Sequence, residues 1–305
     1  MLPIYYYFLP KKSRVFIEVI PFGGSIDDTC LTYYVRDELA ESIRIGCLVE
    51  VPFRNAVDYA IITSLESSDI PENPKSIVRI ITPLPLLAPY QIRSIFESSS
   101  YYFVHVHHIL SLFLSKSLVK YLEKKDFVAL KIPPSPSGRG SGGGLGEKKE
   151  SSTNSIRFYH HTGNDTFSDV IRNHIDGRTI VAFPDDFAID AYLKLHPINP
   201  ETTLVIPDKL TETKKYKAFC SVYNGEKNII IGTRRILYYN LSHYENILYI
   251  EDSLHSKAMR FGHSYKHLDI LQRMATNSDF RITILSTLPS IGSMYMLHTG
   301  VYKKL

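Results

Sequence analysis

The 305-residue sequence contains no tryptophan and only three cysteines. Cys30, Cys47 and Cys220 lie far apart and form no CxxC pair, so the sequence supports neither a disulfide framework nor a zinc site built on cysteine pairs. Because unpaired thiols are typical of reducing compartments, we expect a cytoplasmic protein. The 21 tyrosines are scattered along the chain and are assigned to cores and edges.

Long hydrophobic runs are also missing. No segment reaches the roughly 18 apolar residues of a transmembrane helix, and the N-terminal stretch MLPIYYYFLPKKSR lacks the small-residue cleavage site of a signal peptide. We therefore expect a protein that is neither exported nor inserted in a membrane. The formal net charge of +4 is mildly basic, which permits an anionic partner such as nucleic acid without establishing one.

The length and the 44% hydrophobic content suit a globular protein of two domains. Residues 131–155 are rich in Pro, Gly and Ser, which predicts a flexible linker. Before it, the short apolar runs RVFIEVI, LTYYV, GCLVEVPF and YAIITSL alternate with turn residues and predict a small β-barrel or open β-domain over residues 1–97. Residues 90–122 have helical periodicity and predict one or two helices packed against the barrel, with a helical segment at 98–130.

After the linker, apolar strands alternate with helical segments over residues 156–305. This order predicts a parallel α/β sheet, in which ligands bind at the carboxyl ends of the strands. The loops after IRFY, NIIIG, NILYI and RITIL are therefore the places expected to carry function. The predicted fold class is α+β with α/β: an N-terminal β-barrel-like domain, a flexible linker and one parallel α/β unit.

The segment NIIIGTRRILYYNL places Gly232, Thr233 and Arg234 directly after a predicted strand. A glycine lets another backbone approach closely, and an arginine beside it is suited to phosphate contact. This segment resembles the strand–GTR–helix motif of the primosomal replication-restart helicases, the primosomal protein N′ family. The resemblance implies that these three residues contact a DNA strand and that residues 156–305 form one RecA-like helicase lobe.

The loop YHHTGNDTFSDVI falls where this family has the phosphate loop G-x-T-G-S-G-K-T. Thr162 and Gly163 match that pattern, whereas Thr166 replaces the lysine and Phe167 replaces the hydroxyl residue. A phosphate loop needs the lysine to neutralise phosphate charge and the hydroxyl to hold Mg²⁺. We therefore expect a degenerate site with no useful ATP hydrolysis, no cofactor and no bound metal.

At the end of NILYIEDSLH, Glu251 and Asp252 occupy the first two positions of the family's DEEH box, with their carboxylate types exchanged. The later segment LSTLPS resembles the family's S-A-T-P-S motif. Since the phosphate-loop lysine is absent, we expect these two acids to face solvent at the strand end rather than to hold a metal ion. The sequence ends soon after LSTLPS, so we also expect the family's second motor lobe to be missing.

The segment LTYYVRDELAESIRIGCLVEVPF resembles the same family's DNA-binding domain, which holds the 3′ end of a nascent strand. Thr32, Arg54 and Lys75 fall at the positions of that domain's binding pocket. Lys75 retains the pocket lysine, whereas Thr32 and Arg54 replace an aspartate and a glycine. We therefore expect phosphate affinity through Arg54 and Lys75 rather than specific recognition of the 3′-hydroxyl.

The resemblance thus implies a catalytically inactive, helicase-like protein related to replication restart. Its expected partners are forked or single-stranded DNA and other replication proteins, with no membrane contact. An alternative is an ATP-dependent 3′-5′ DNA helicase subunit that uses ATP and Mg²⁺ and takes its second lobe from a partner. A third interpretation is a scaffold that binds only proteins.

Overall fold

The computed structural model describes residues 15–24, 30–67, 69–125, 127, 129–131, 156–163, 166–251, 257–260 and 263–305, with only the backbone described at 257–260. The chain divides into two compact units, Met1–Leu86 and Leu87–Leu305. The first unit ends before the predicted boundary at residue 97. Almost all of the predicted linker, 131–155, lies outside the described residues.

The first unit is an antiparallel sheet. Its elements are β1 (Val15–Pro21), β2 (Leu31–Val35), α1 (Asp37–Ala40), β3 (Leu48–Phe53), β4 (Ala56–Ser64) and β5 (Arg79–Thr82). The strand order is β2-β1-β4-β3-β5. The residues leading into β5 also bond to β2, because the Tyr34 amide donates to the Lys75 carbonyl at 3.0 Å. The two edges of the sheet therefore meet, which confirms the prediction of a small β-domain with barrel-like closure.

Alternating side chains fill the interior of this barrel. Val49 and Val51 of β3 are fully buried, as are Ile17 and Val19 of β1. Because side chains of a strand alternate between its faces, residues two apart point into the same core. Burial of each such side chain contributes about 1.5–3 kcal/mol. The period-two pattern of the sequence therefore produces the core directly.

The second unit begins with helices and continues as an alternating α/β fold. Its helices are α2 (Pro89–Tyr102), α3 (Val106–Phe113), α4 (Lys116–Lys124), α5 (Phe167–Asn173), α6 (Asp186–Leu195), α7 (Glu212–Tyr223), the 3₁₀ helix (Arg234–Tyr238), α8 (His267–Thr276) and α9 (Ile291–His298). Its strands are β6 (Ile156–His160), β7 (Thr179–Phe183), β8 (Thr203–Ile206), β9 (Ile229–Thr233), β10 (Asn246–Glu251), β11 (Lys257–Arg260), β12 (His263–Lys266), β13 (Arg281–Ser286) and β14 (Tyr302–Lys304).

Seven of these strands form one parallel sheet in the order β14-β6-β13-β10-β7-β9-β8. The central strands are buried on both faces, as the continuous apolar runs TIVAF and NILYIE require. This arrangement confirms the predicted parallel α/β unit and is consistent with a RecA-like lobe. The carboxyl ends of all seven strands share one edge of the sheet, where α/β proteins bind their ligands.

The helical segment after the barrel differs from its prediction. Instead of one or two helices, three form, and they belong to the second compact unit. Helix α2 packs against α8, and α4 packs against α7. The backbone breaks at Phe103, which has a left-handed conformation, and at Ser115, whose side chain caps α4. Within the described residues, none of the helices is long and apolar enough to cross a bilayer.

A second difference lies at residues 263–275, where the sequence predicts one continuous helix. His263–Lys266 instead form strand β12, which pairs with β11, and the helix begins at His267. The Lys266 amide donates to the hydroxyl of Tyr102 at 2.9 Å. This bond satisfies an amide at the helix start that the helix itself cannot satisfy.

Candidate functional site

Three strand ends lie side by side at the carboxyl edge of the parallel sheet. His160 at the end of β6 pairs in register with Ser286 of β13, and Ser286 pairs with Glu251 of β10. The His161 amide donates to the Ser286 carbonyl at 2.8 Å, which continues the pairing into the following loop. The structure therefore brings the predicted phosphate loop and the predicted acid box to the same edge.

The loop after β6 has a threonine at the position where a nucleotide site needs a cation. Thr162 and Gly163 are exposed. Thr166, which stands at the lysine position, donates its hydroxyl to the carboxylate of Asp169 in the first turn of α5. The Phe167 ring lies 5.6 Å from the His161 ring, measured between centroids. Since like charges repel, Asp169 opposes a phosphate group in this loop.

Glu251 corrects one expectation from the sequence, because it does not face solvent. The side chain is buried, with 7% of its surface exposed. Its Oε1 accepts a hydrogen bond from Ser290 Oγ at 2.8 Å and another from Ser293 Oγ. Asp252 lies outside the described residues. Across the described residues, no group of three or more histidine, cysteine, aspartate or glutamate side chains is arranged to hold a metal ion.

Gly232 and Thr233 of the GTR motif are built into the sheet. A Cβ atom on Gly232 would lie 2.6 Å from Ile236 Cγ2 and 2.7 Å from the backbone oxygen of Ile206. The hydroxyl of Thr233 is buried and donates to Asp208 Oδ1 at 2.5 Å. The close approach that this glycine permits is thus to the chain's own backbone on β8. DNA contact by these two residues stays a prediction.

The two arginines of the motif point to different environments. Arg234 is 2% exposed, its guanidinium lies 5.1 Å from the centroid of the Tyr249 ring, and its Nη2 donates to the Ile250 carbonyl at 3.2 Å. Arg235 has 72% of its side chain exposed and lies 3.5 Å from Asp208. Arg235 is therefore the cation of this motif that solvent and a ligand can reach. The sequence singles out both arginines of the motif, and the resemblance implies DNA contact by Arg234, which is the buried one of the two.

The three residues predicted from the DNA-binding pocket lie on neighbouring segments of the barrel. Thr32 Oγ1 is 2.9 Å from Ser67 Oγ, and the next residue, Tyr33, donates its hydroxyl to the Pro52 carbonyl at 2.8 Å. Burial, followed by the charge of Asp58, raises the pKa of Tyr33 to about 12, so the phenol stays protonated. Pro52 is two residues before Arg54, and β2 also bonds to the Lys75 carbonyl.

Arg54 and Lys75 are the exposed cations of this group. Arg54 occupies the first position of the two-residue turn between β3 and β4, with a φ of 54°. A positive φ at that position is the geometry in which glycine is favoured. The backbone therefore has a conformation that favours glycine, although the residue is arginine. The guanidinium lies 5.1 Å from the centroid of the Phe53 ring.

We expect the substitution Arg54→Gly to change folding stability and DNA affinity in opposite directions. It relieves the left-handed strain, so the free energy of unfolding should rise by about 0.5–1 kcal/mol after the loss of the ring contact. It also removes a cation, so the logarithmic salt dependence of DNA binding should weaken by about one unit. Urea unfolding and salt-dependent anisotropy test both effects. Lys75→Ala is the control, because it should weaken the salt dependence without a change in stability.

Comparison with known proteins adds one finding. Residues 19–115 match the family model of the PriA 3′DNA-binding domain (3′BD). This range contains Thr32, Arg54 and Lys75 and runs from β1 through α3. No curated protein is similar enough to match the chain. The match supports a PriA-like protein whose residues 19–115 are similar to the 3′DNA-binding domain.

Proposed function

We propose that this protein binds DNA at replication forks through its N-terminal barrel and does so without hydrolysing ATP. The single observation that carries the proposal is the match of residues 19–115 to the PriA 3′DNA-binding domain. Arg54 and Lys75 support it, because both are exposed and stand at positions where the resemblance implies a binding pocket. A cation that neutralises a DNA phosphate releases a counterion, and this release drives binding.

The absence of ATP hydrolysis follows from the loop after β6. Thr166 cannot neutralise phosphate charge, and its hydroxyl is bonded to Asp169. Phe167 has no oxygen with which to hold Mg²⁺. A loop with a threonine in place of the lysine, bonded to a nearby aspartate, disfavours a nucleoside triphosphate electrostatically. The parallel sheet then serves as a scaffold, and the exposed Arg235 of the 3₁₀ helix that follows β9 is available for a further phosphate contact.

Fluorescence anisotropy with a forked DNA tests the DNA claim. We expect salt-dependent binding by the wild-type protein. The double variant Arg54→Glu/Lys75→Glu should raise the dissociation constant about tenfold or more at low salt, because two phosphate contacts become repulsive. The matched control is Lys194→Glu/Lys217→Glu, which makes the same charge change at two exposed positions of α6 and α7. Equal affinities of the two double variants would contradict the proposed site.

A second candidate is a helicase subunit that obtains its second lobe from a partner. The observation that favours it is Glu251, because this buried carboxylate sits at the strand end beside the loop after β6 and is held by two serine hydroxyls. DNA-stimulated release of phosphate from ATP distinguishes the two candidates. We expect none from the wild-type protein and none from Thr166→Lys alone. Activity of the wild-type protein above background would support the helicase subunit instead.

A further inference from the structure

Helix α2 ends in an aromatic residue whose conformation and exposure both oppose folding. Phe103 follows the helix with φ 52° and ψ 48°, and 95% of its surface is exposed. Glycine is usual at such a left-handed position, because a side chain is strained there. An apolar ring in water also contributes nothing to a core. A strained and solvated phenyl group is the kind of outlier that points to a binding role.

A second exposed ring stands two residues earlier in the chain, at Tyr101, and a cation packs against that ring. Tyr101 is 56% exposed. The guanidinium of Arg273 lies 4.0 Å from the centroid of the Tyr101 ring, and Arg273 Nη1 donates to the Asp269 carbonyl at 2.7 Å. The Arg273 side chain is therefore held at the aromatic surface. A cation over an aromatic face is stabilised by the ring while its charge remains available to an anion.

The base of this surface is fixed to helix α8. The hydroxyl of Tyr102 donates to Asp269 Oδ2 at 2.9 Å and accepts from the Lys266 amide at 2.9 Å. Its ring also packs edge-on against the fully buried Tyr265, at 5.2 Å between centroids. Tyr101 and Phe103 thus project from an anchored residue between them. The chain between the two rings is therefore already ordered, so a ligand that binds both rings costs little further conformational entropy there.

Two cations lie close to the aromatic segment that contains Tyr101 and Phe103. Arg273 and the exposed Lys266 contribute two cations. Among the described residues, Asp269 accepts from the Tyr102 hydroxyl and Glu97 accepts from the side-chain amide of Asn277 at 3.1 Å, so both carboxylates keep their charge but are held by donors of the protein. Single-stranded nucleic acid combines flat bases with a phosphate backbone. Such strands are bound by aromatic stacking and adjacent cations without regard to sequence.

We propose that Tyr101 and Phe103 form a stacking platform for unpaired bases of a DNA strand, with Arg273 and Lys266 contacting its phosphates. This inference rests on the proposed DNA-binding function and adds a second contact surface, on the second compact unit. The cations of the barrel contact phosphates, which duplex DNA and single-stranded DNA both carry. The platform requires unpaired bases, so it binds the single-stranded part of a fork.

The test compares a blunt duplex with a duplex that carries an unpaired tail of about a dozen thymidines. Phe103→Gly removes the ring at a position where glycine is favoured, so the variant should fold at least as well as the wild type. We expect it to weaken binding of the tailed duplex about tenfold and to leave the blunt duplex unchanged. Phe103→Tyr should retain binding. Phe187→Ala is the control, because it removes another exposed ring, on α6.

Each outcome decides between this inference and the proposed function. Equal binding of the tailed duplex by the wild type and Phe103→Gly overturns the platform and leaves the barrel site standing; a protein ligand would then be the occupant of these rings. Loss of tail binding in Phe103→Gly but not in Arg54→Glu/Lys75→Glu supports the platform and overturns the barrel site. No binding of either DNA by the wild type overturns both.

Discussion

The free energy of unfolding is expected to fall steeply as the pH drops from 6.5 towards 3, because His267 must stay neutral in the folded protein. Burial, followed by the charges of Arg234 and Arg235, lowers the pKa of this histidine from 6.5 to about 3. In the unfolded chain His267 binds its proton near pH 6.5, so acid stabilises the unfolded state throughout this interval. The contribution is complete above pH 6.5, and roughly 4 kcal/mol is lost by pH 3.

The surroundings of His267 explain why it cannot take up a proton. Its Nδ1 lies 2.9 Å from the hydroxyl of Tyr238, whose own pKa is raised by burial, so that hydroxyl stays protonated. Among the described residues, the charged groups that lower the pKa of His267 are the cations Arg234 and Arg235. A positive charge on His267 would lose its hydration and would be repelled by Arg234 and Arg235.

Urea unfolding at pH 7, 6, 5 and 4 measures this effect. His267→Gln removes the titrating group, and its free energy of unfolding should depend less on pH than that of the wild type by about one proton between pH 6 and 4. His263→Gln is the matched control, because His263 is an exposed histidine four residues earlier. It should retain the wild-type dependence. Parallel pH profiles of the wild type and His267→Gln would refute the assignment.

The substitution Gly232→Ala should lower the free energy of unfolding by about 2–3 kcal/mol, because the new methyl group has no space. It would meet the backbone oxygen of Ile206 at 2.7 Å and Ile236 Cγ2 at 2.6 Å. The first of these atoms belongs to the neighbouring strand β8, so relief requires the strands to separate. Thermal or urea unfolding gives the magnitude.

Gly163→Ala is the matched control for that substitution. Gly163 lies in the loop after β6, and the nearest atom to its added Cβ is His161 Cε1 at 3.9 Å, an ordinary contact. The stability should change by less than about 0.5 kcal/mol, as for other open surface positions. If both glycines tolerate alanine equally, the packing role of Gly232 is wrong. The DNA affinity of the folded Gly232→Ala protein then shows whether this glycine serves DNA contact instead.

Much of the fold follows from local sequence patterns. The run LVEVPF includes polar positions, as strands do in an antiparallel sheet with one buried face, whereas TIVAF is almost wholly apolar, as strands are in a parallel sheet covered on both faces. Both kinds of sheet were therefore predicted. The loops of the carboxyl edge were placed correctly for the same reason. The strand at residues 263–266 was not, because a tyrosine hydroxyl from α2 and the partner strand β11 determine where α8 begins.

The candidate site was predicted less completely. Thr166 and Arg54 could be compared with a motif position by position, and their chemistry does not depend on distant neighbours. Glu251 was expected in solvent and is buried, because Ser290 and Ser293 approach it from a later helix. The sequence offers no pattern that pairs a strand-end carboxylate with those serines.

The sequence by itself determined the two kinds of sheet and the missing lysine of the loop after β6. These features depend on residue type and spacing within one segment. Only the tertiary structure decided which cation of the GTR motif can reach a ligand and which aromatic rings face water. Arg234 is buried and Phe103 is exposed because of residues far away in the chain, since burial is a property of the packed neighbours and not of the segment.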